Sequence, residues 1–192
     1  MKPSTHGSED APSSATALLI TDMISLWDFP NARALRTAAR RIADPIARLK
    51  HRFRAAQAPI VYANDNRGRW RSDLRQLVEL SLDAGRHAAE ITTLLAPEVD
   101  DYFVLKPKHS AFLATPLEIL LAHLHVRRLV ITGVAADQCV LMSAADARMR
   151  NLEVMIPRDC VGAETRPRTR AAVLYFERVL QVATPESARV RI

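Results

Sequence analysis

A chain of 192 residues with 48% hydrophobic and 25% charged content has the size and balance of one globular domain with a substantial core. Its formal charge of +6 and pI near 9.9 raise the question of nucleic acid, yet the cations are scattered and no base-reading motif accompanies them, so no specific nucleic-acid partner is expected. No apolar run approaches the roughly 20 residues that span a bilayer, so no membrane partner is expected either.

Residues 1–15 are rich in Ser, Pro, Thr and acidic side chains and read as a disordered N-terminal tail ahead of one domain, 16–192. They lack the apolar core of an export signal, which makes a cytoplasmic location the expectation and a disulfide between Cys139 and Cys160 improbable. From there a strand-then-helix rhythm runs to the end. Short, nearly continuous apolar runs at 17–20, 59–62, 102–105, 129–131, 152–156 and 179–182 suit strands buried on both faces. Residues 32–57 carry Leu35, Ile42, Ile46, Leu49 and Phe53 at helical spacing, interrupted by Asp44-Pro45, which is either a cap with a first-turn proline or a kink. Later helices are expected over 88–95, 115–124, 137–150 and 166–178. Thr115-Pro116 with Glu118 is a strong start signal: a capping hydroxyl, a first-turn proline and a carboxylate at the positive end of the dipole. The pattern predicts a three-layer αβα domain around a mainly parallel sheet of about six strands, with right-handed crossovers.

In such sheets functional residues gather beyond the carboxyl ends of the strands. That rule selects Asp22 after the first strand, Lys106 after the third, and the loop Gly133–Cys139 after the fourth. A thiol in the first turn of a helix meets unpaired amide donors and the positive dipole end, both of which favour thiolate. Taken singly, Cys139 reads equally well as a small buried residue, whereas Asp22 reads better as a turn or cap aspartate and Lys106 as a solvated cation. Together they form a coherent hydrolytic set, in which the ammonium offsets charge and the carboxylate carries the thiol proton to a leaving amine.

The segments Leu18-Leu19-Ile20-Thr21-Asp22-Met23, Lys106-Pro107-Lys108-His109-Ser110-Ala111-Phe112 and Leu129 to Val134 through Cys139-Val140, continuing to Ser143–Ala147, resemble the isochorismatase-like cysteine hydrolases. A weaker match is Val154–Cys160, and the likeness runs from about residue 16 to the C-terminus. The resemblance implies an amidase-like hydrolase that cleaves a C–N bond of a small amide or ureide through a thioester. Asp22, Lys106 and Cys139 would be its triad, and Val134–Ala135 a cis peptide that aims an amide at the oxyanion. Cys160 matches no catalytic position. Relatives of this kind also make a homo-oligomer an expectation by analogy. The alternative is a catalytically silent member that serves as an interaction module, which retention of all three residues disfavours.

Departures from the family pattern accompany the match. Ala135 replaces a common threonine, Ile24 a common polar residue, and Trp27 stands where an aromatic lines the family pocket. Metal-dependent relatives carry Asp and His after the second strand; here Asp65 is followed by Asn66, Arg67, Trp70 and Arg71 with no histidine, so neither a metal nor another cofactor is expected. Trp27, Asn66 and Trp70 are candidate substrate contacts, although the segment 64–71 reads equally as a surface or subunit-contact loop. His87 and His109 stand isolated in the sequence, and no role for His109 can be read from it.

Overall fold

The computed structural model describes residues 14–66 and 73–192. The expected tail lies largely in 1–13, outside them, as do Arg67, Trp70 and Arg71. Chain order is β1 (Thr16–Thr21), α1 (Ala32–Ala55), β2 (Ile60–Asp65), α2 (Leu74–Asp83), α3 (Arg86–Leu94), β3 (Tyr102–Lys106), α4 (Leu117–His123), β4 (Arg128–Val134), α5 (Leu141–Met149), β5 (Glu153–Met155), β6 (Val161–Gly162) and α6 (Arg166–Arg178). A π-helical turn, Ala136–Val140, leads from β4 into α5.

All pairings in the six-stranded sheet are parallel, in the order β3-β2-β1-β4-β5, with β6 pairing the end of β4. Strands covered on both faces explain the continuous apolar runs. Alternation along β1 divides the core: Leu18 and Ile20 pack with Ile46, Leu49 and Phe53 of α1, whereas Ala17 and Leu19 pack with Leu121, Ala144 and Phe176 on the opposite face. The three-layer parallel architecture is therefore the one expected. Among the described residues no helix is long and apolar enough to cross a membrane.

Four local expectations are corrected. Residues 179–182 form no strand: Val179 is exposed beyond α6, and this stretch reaches the sheet only through a bridge between Met155 and Ala183. The sixth strand is Val161–Gly162 instead. Helix α2 was not anticipated, although Asp73 caps it by accepting from the Gln76 N–H at 2.8 Å. Of the two readings of Asp44-Pro45 the cap is overturned, since Pro45 sits inside α1, where the carbonyl it leaves free belongs to exposed Arg41 and can bond water. Helix α4 starts at Leu117, one residue later than a Thr115 cap implies; the Thr115 hydroxyl still accepts from the Leu117 N–H at 3.2 Å while donating to the Ala111 carbonyl.

Candidate active site

The site forms where β1, β2, β3 and β4 end together. Thr21 lies opposite Ala63 on one side and Gly133 on the other, and Asp65 lies opposite Lys106. The close approach of β4 to β1 requires glycine: Gly133 has φ +107°, and a Cβ there would stand 2.0 Å from the Thr21 carbonyl oxygen. After Gly133 the Val134–Ala135 peptide is cis and the chain enters the π-helical turn, whose Val140 N–H donates to the Ala135 carbonyl at 3.1 Å. This wide turn delivers Cys139 beneath the end of β1.

Asp22 leaves β1 in the left-handed region, φ 51°, a conformation that short polar side chains tolerate. One carboxylate oxygen, Oδ1, accepts from the Asp65 N–H at 2.8 Å, and the other, Oδ2, lies 2.8 Å from the Lys106 ammonium. Lys106 is the last residue of β3 and not the first residue after it; it is fully buried, and its Nζ is also 3.5 Å from the Cys139 sulfur. Burial pushes the Lys106 ammonium downward, but Asp22 and Cys139 outweigh it, and the pKa ends above its ordinary value. The cation persists at neutral pH. For Cys139, burial first and the Asp22 charge second push the thiol up to about 12, against the lowering influence of Lys106. The resting sulfur is thus a thiol, and the thiolate favoured by a helix start alone is not what this environment produces.

The loop between β3 and α4 is pinned to α5. Ser110 donates to Asp146, and the Ala111 N–H donates to the Ser143 hydroxyl at 2.9 Å. One consequence was invisible in the sequence. His109, itself exposed, is carried to 3.6 Å from the Cys139 sulfur, measured to Nδ1. A separation of 30 residues and an irregular loop leave no periodic signal for that contact.

These groups open into a cavity of about 450 Å³, within the range of small-molecule sites. Asp22, Cys139, His109, Val134 and Ala135 form its reactive end. Its wall comes from Ile24, Trp27, Phe29, Leu35 and Leu77. Trp27 is therefore placed as a cavity residue, and its buried Nε1 has no hydrogen-bond partner among the described residues. Asn66 is not in the lining: it is buried, and its N–H donates to the Lys106 carbonyl at 3.0 Å, extending the β2–β3 ladder. Asn64 and Asp65 take its place at the cavity. Trp70 lies outside the described residues. The cysteines are both free, and Cys160 is wholly buried, its thiol pushed up by burial and by Asp159. Among the described residues no group of three His, Cys, Asp or Glu side chains is arranged to hold a metal ion.

At the carboxyl end of the parallel sheet a cavity is thus lined by a thiol and a carboxylate, with a buried ammonium in contact with both, an arrangement of the size and chemistry of a small-molecule site. The sequence model of the Isochorismatase domain matches residues 16–187, and the chain belongs to that family of hydrolases. It is 38% identical over 172 residues to the "Uncharacterized isochorismatase family protein YaaI" of Bacillus subtilis, covering 88% of this chain and 94% of that one. It is 26% identical to an N-carbamoylsarcosine amidase of Arthrobacter sp, over 76% of this chain but only 59% of that longer protein. Among solved structures, the N-carbamoylsarcosine amidase of Thermoplasma acidophilum superposes with TM-score 0.68 at 25% identity, covering 92% of this chain and 99% of that one. An isochorismatase-like hydrolase from Alkaliphilus metalliredigens shares the fold, with TM-score 0.74 at 19% identity over 92% and 96% of the two chains.

Proposed function

We propose that this chain hydrolyses a C–N bond in a small amide or ureide, with Cys139 as nucleophile, Asp22 as proton carrier and Lys106 as electrostatic support. The observation that carries the reading is a cavity lined by Asp22 and Cys139, behind which the buried Lys106 ammonium stands 2.8 Å from the Asp22 carboxylate and 3.5 Å from the Cys139 sulfur. A thiol with its pKa pushed up to about 12 requires a base at the moment of attack, and Asp22 is in place to act as one.

As the sulfur bonds to the carbonyl carbon, the thiol proton passes to Asp22 and the oxyanion meets the amides of Ala135 and Cys139. Collapse of the tetrahedral intermediate breaks the C–N bond, and Asp22 gives its proton to the departing nitrogen. The thioester left behind is attacked by water, which loses a proton to Asp22. That proton returns to sulfur as the acid leaves. Lys106 stays protonated throughout and keeps the carboxylate–thiol pair from accumulating uncompensated negative charge.

The test is ammonia release from a panel of primary amides and ureides, followed by mass spectrometry of the enzyme under turnover. Cys139→Ser is expected to lower kcat by roughly a thousandfold or more, because a hydroxyl holds its proton far more tightly than a thiol. A Cys139→Ser protein that retains wild-type turnover overturns the reading, as it would for a vinyl-ether hydrolysis that needs no thiol. A chain with no turnover on any member of the panel points to the interaction module instead.

A further inference from the structure

We propose that His109 is a further catalytic residue, whose ring Nδ1–H donates a hydrogen bond to the Cys139 sulfur as that sulfur gains negative charge. The inference rests on Cys139 being the nucleophile and adds a group outside the Asp22, Lys106 and Cys139 set.

The geometry begins with the surroundings of the sulfur. Cys139 is 8% exposed, so water contributes little to solvating charge there. Its neighbours on the buried side are Asp22, which repels a thiolate, and the Lys106 ammonium at 3.5 Å. His109 Nδ1 stands at 3.6 Å, inside the range of hydrogen bonds to sulfur, and it lines the same cavity. Lys106 already shares its charge with Asp22 at 2.8 Å and contacts the Lys108 carbonyl, so it is not dedicated to the sulfur. Burial and Asp22 make charge at this sulfur costly enough to push the thiol up to about 12. A thiolate only accepts hydrogen bonds, and a second donor on its open side lowers the cost of forming it.

The position of the ring is fixed by the fold. His109 precedes Ser110, which is tied to Asp146, and Ala111, which is tied to Ser143, both partners belonging to the helix that follows the Cys139 turn. The loop carrying the imidazole and the turn carrying the thiol are therefore fastened together one residue from the contact. The proton accounting of the proposed reaction is unchanged: Asp22 still takes and returns the proton, and His109 donates a hydrogen bond without transferring its own.

The experiment measures alkylation of Cys139 by iodoacetamide at pH 7.5 in full-length wild type, His109→Phe and His109→Asn, with the labelled cysteine identified by peptide mass spectrometry. Asparagine places an N–H close to where Nδ1 stood, while phenylalanine keeps the ring and removes the donor. His109→Phe is expected to slow alkylation of Cys139 about tenfold, the size of one hydrogen bond to a charged group, with His109→Asn within about threefold of wild type. Labelling of Cys160 in the same samples reports any general loosening and is expected to be unchanged. A His109→Phe rate within about twofold of wild type, or equal slowing in His109→Asn, overturns the hydrogen-bond role and leaves the nucleophile intact. A wild-type Cys139 that labels no faster than buried Cys160 overturns the nucleophile and the inference together.

Discussion

The reactive end of the cavity and its wall are built by different means. At the reactive end, Asp22, Lys106 and Cys139 are set by parallel registers, by a glycine that lets two strand ends touch, and by hydrogen bonds to backbone. The wall is made of side chains from the irregular segment after β1, where Trp27 and Asn31 both adopt positive φ, and from the first turns of α1 and α2. Charge with strict positional demands sits on the sheet, and apolar surface that tolerates reshaping sits on loops and helix starts. On the proposed reading, the sheet would carry the reaction and the wall the choice of substrate.

The comparison breaks most completely at Gly133. Gly133→Ala forces a Cβ into the Thr21 backbone at a φ that L residues avoid, and is expected to cost about 4 kcal/mol or more. Chemical denaturation of the variant, or its failure to accumulate folded, checks this; a loss below about 1 kcal/mol would show that the β1–β4 junction is not the rigid base of the site. Lys106→Met comes next. It removes a buried cation and leaves the Asp22 carboxylate, which is 17% exposed, without its partner. A stability loss of about 2 kcal/mol is expected, moderated by that residual solvation, together with a fall in turnover of roughly a hundredfold. Unchanged kcat in a folded Lys106→Met protein would remove Lys106 from the mechanism. The smallest effect tests the wall. Leu35→Ala, at a partly buried cavity position, is expected to raise KM roughly fivefold while kcat stays within about twofold and stability falls by about 1 kcal/mol. An equal fall in kcat would show that wall and reactive end are not separable.

The same division decides what could be read from the sequence. Strands β1, β2 and β4 were legible because burial on both faces demands continuous apolar runs, β3 kept an apolar run although it lies at the edge, and the strand-end rule then pointed to Asp22, Lys106 and the Cys139 loop. The run at 179–182 misled for the same reason: apolar, β-branched residues there form no strand, and Val179 is 58% exposed. Helix α2 buries only Leu74, Leu77 and Ser81, a stripe too thin to stand out against loop composition, although Asp73 was a usable cap signal. Asn66 is a candidate as part of the segment 64–71; its backbone N–H extends the ladder to Lys106, and it is not among the described residues that line the cavity. His109 was beyond reach, since its contact with Cys139 exists only once the Ser110–Asp146 and Ala111–Ser143 bonds have closed the loop.

One rung of the sheet carries more than its share. Asp65 and Lys106 face each other across β2 and β3, and Asp22 takes the amide of the first and the ammonium of the second. Strand β3 is an outer strand of the sheet, with Phe103 half exposed on it. Edge strands are among the first segments to open on warming, well before the central strands release. A slip of β3 by a single residue would turn the Lys106 side chain to the opposite face of the sheet and take the ammonium away from the carboxylate. The proposed site is thus tethered to an edge of the scaffold, and activity is expected to be lost on heating before the domain melts.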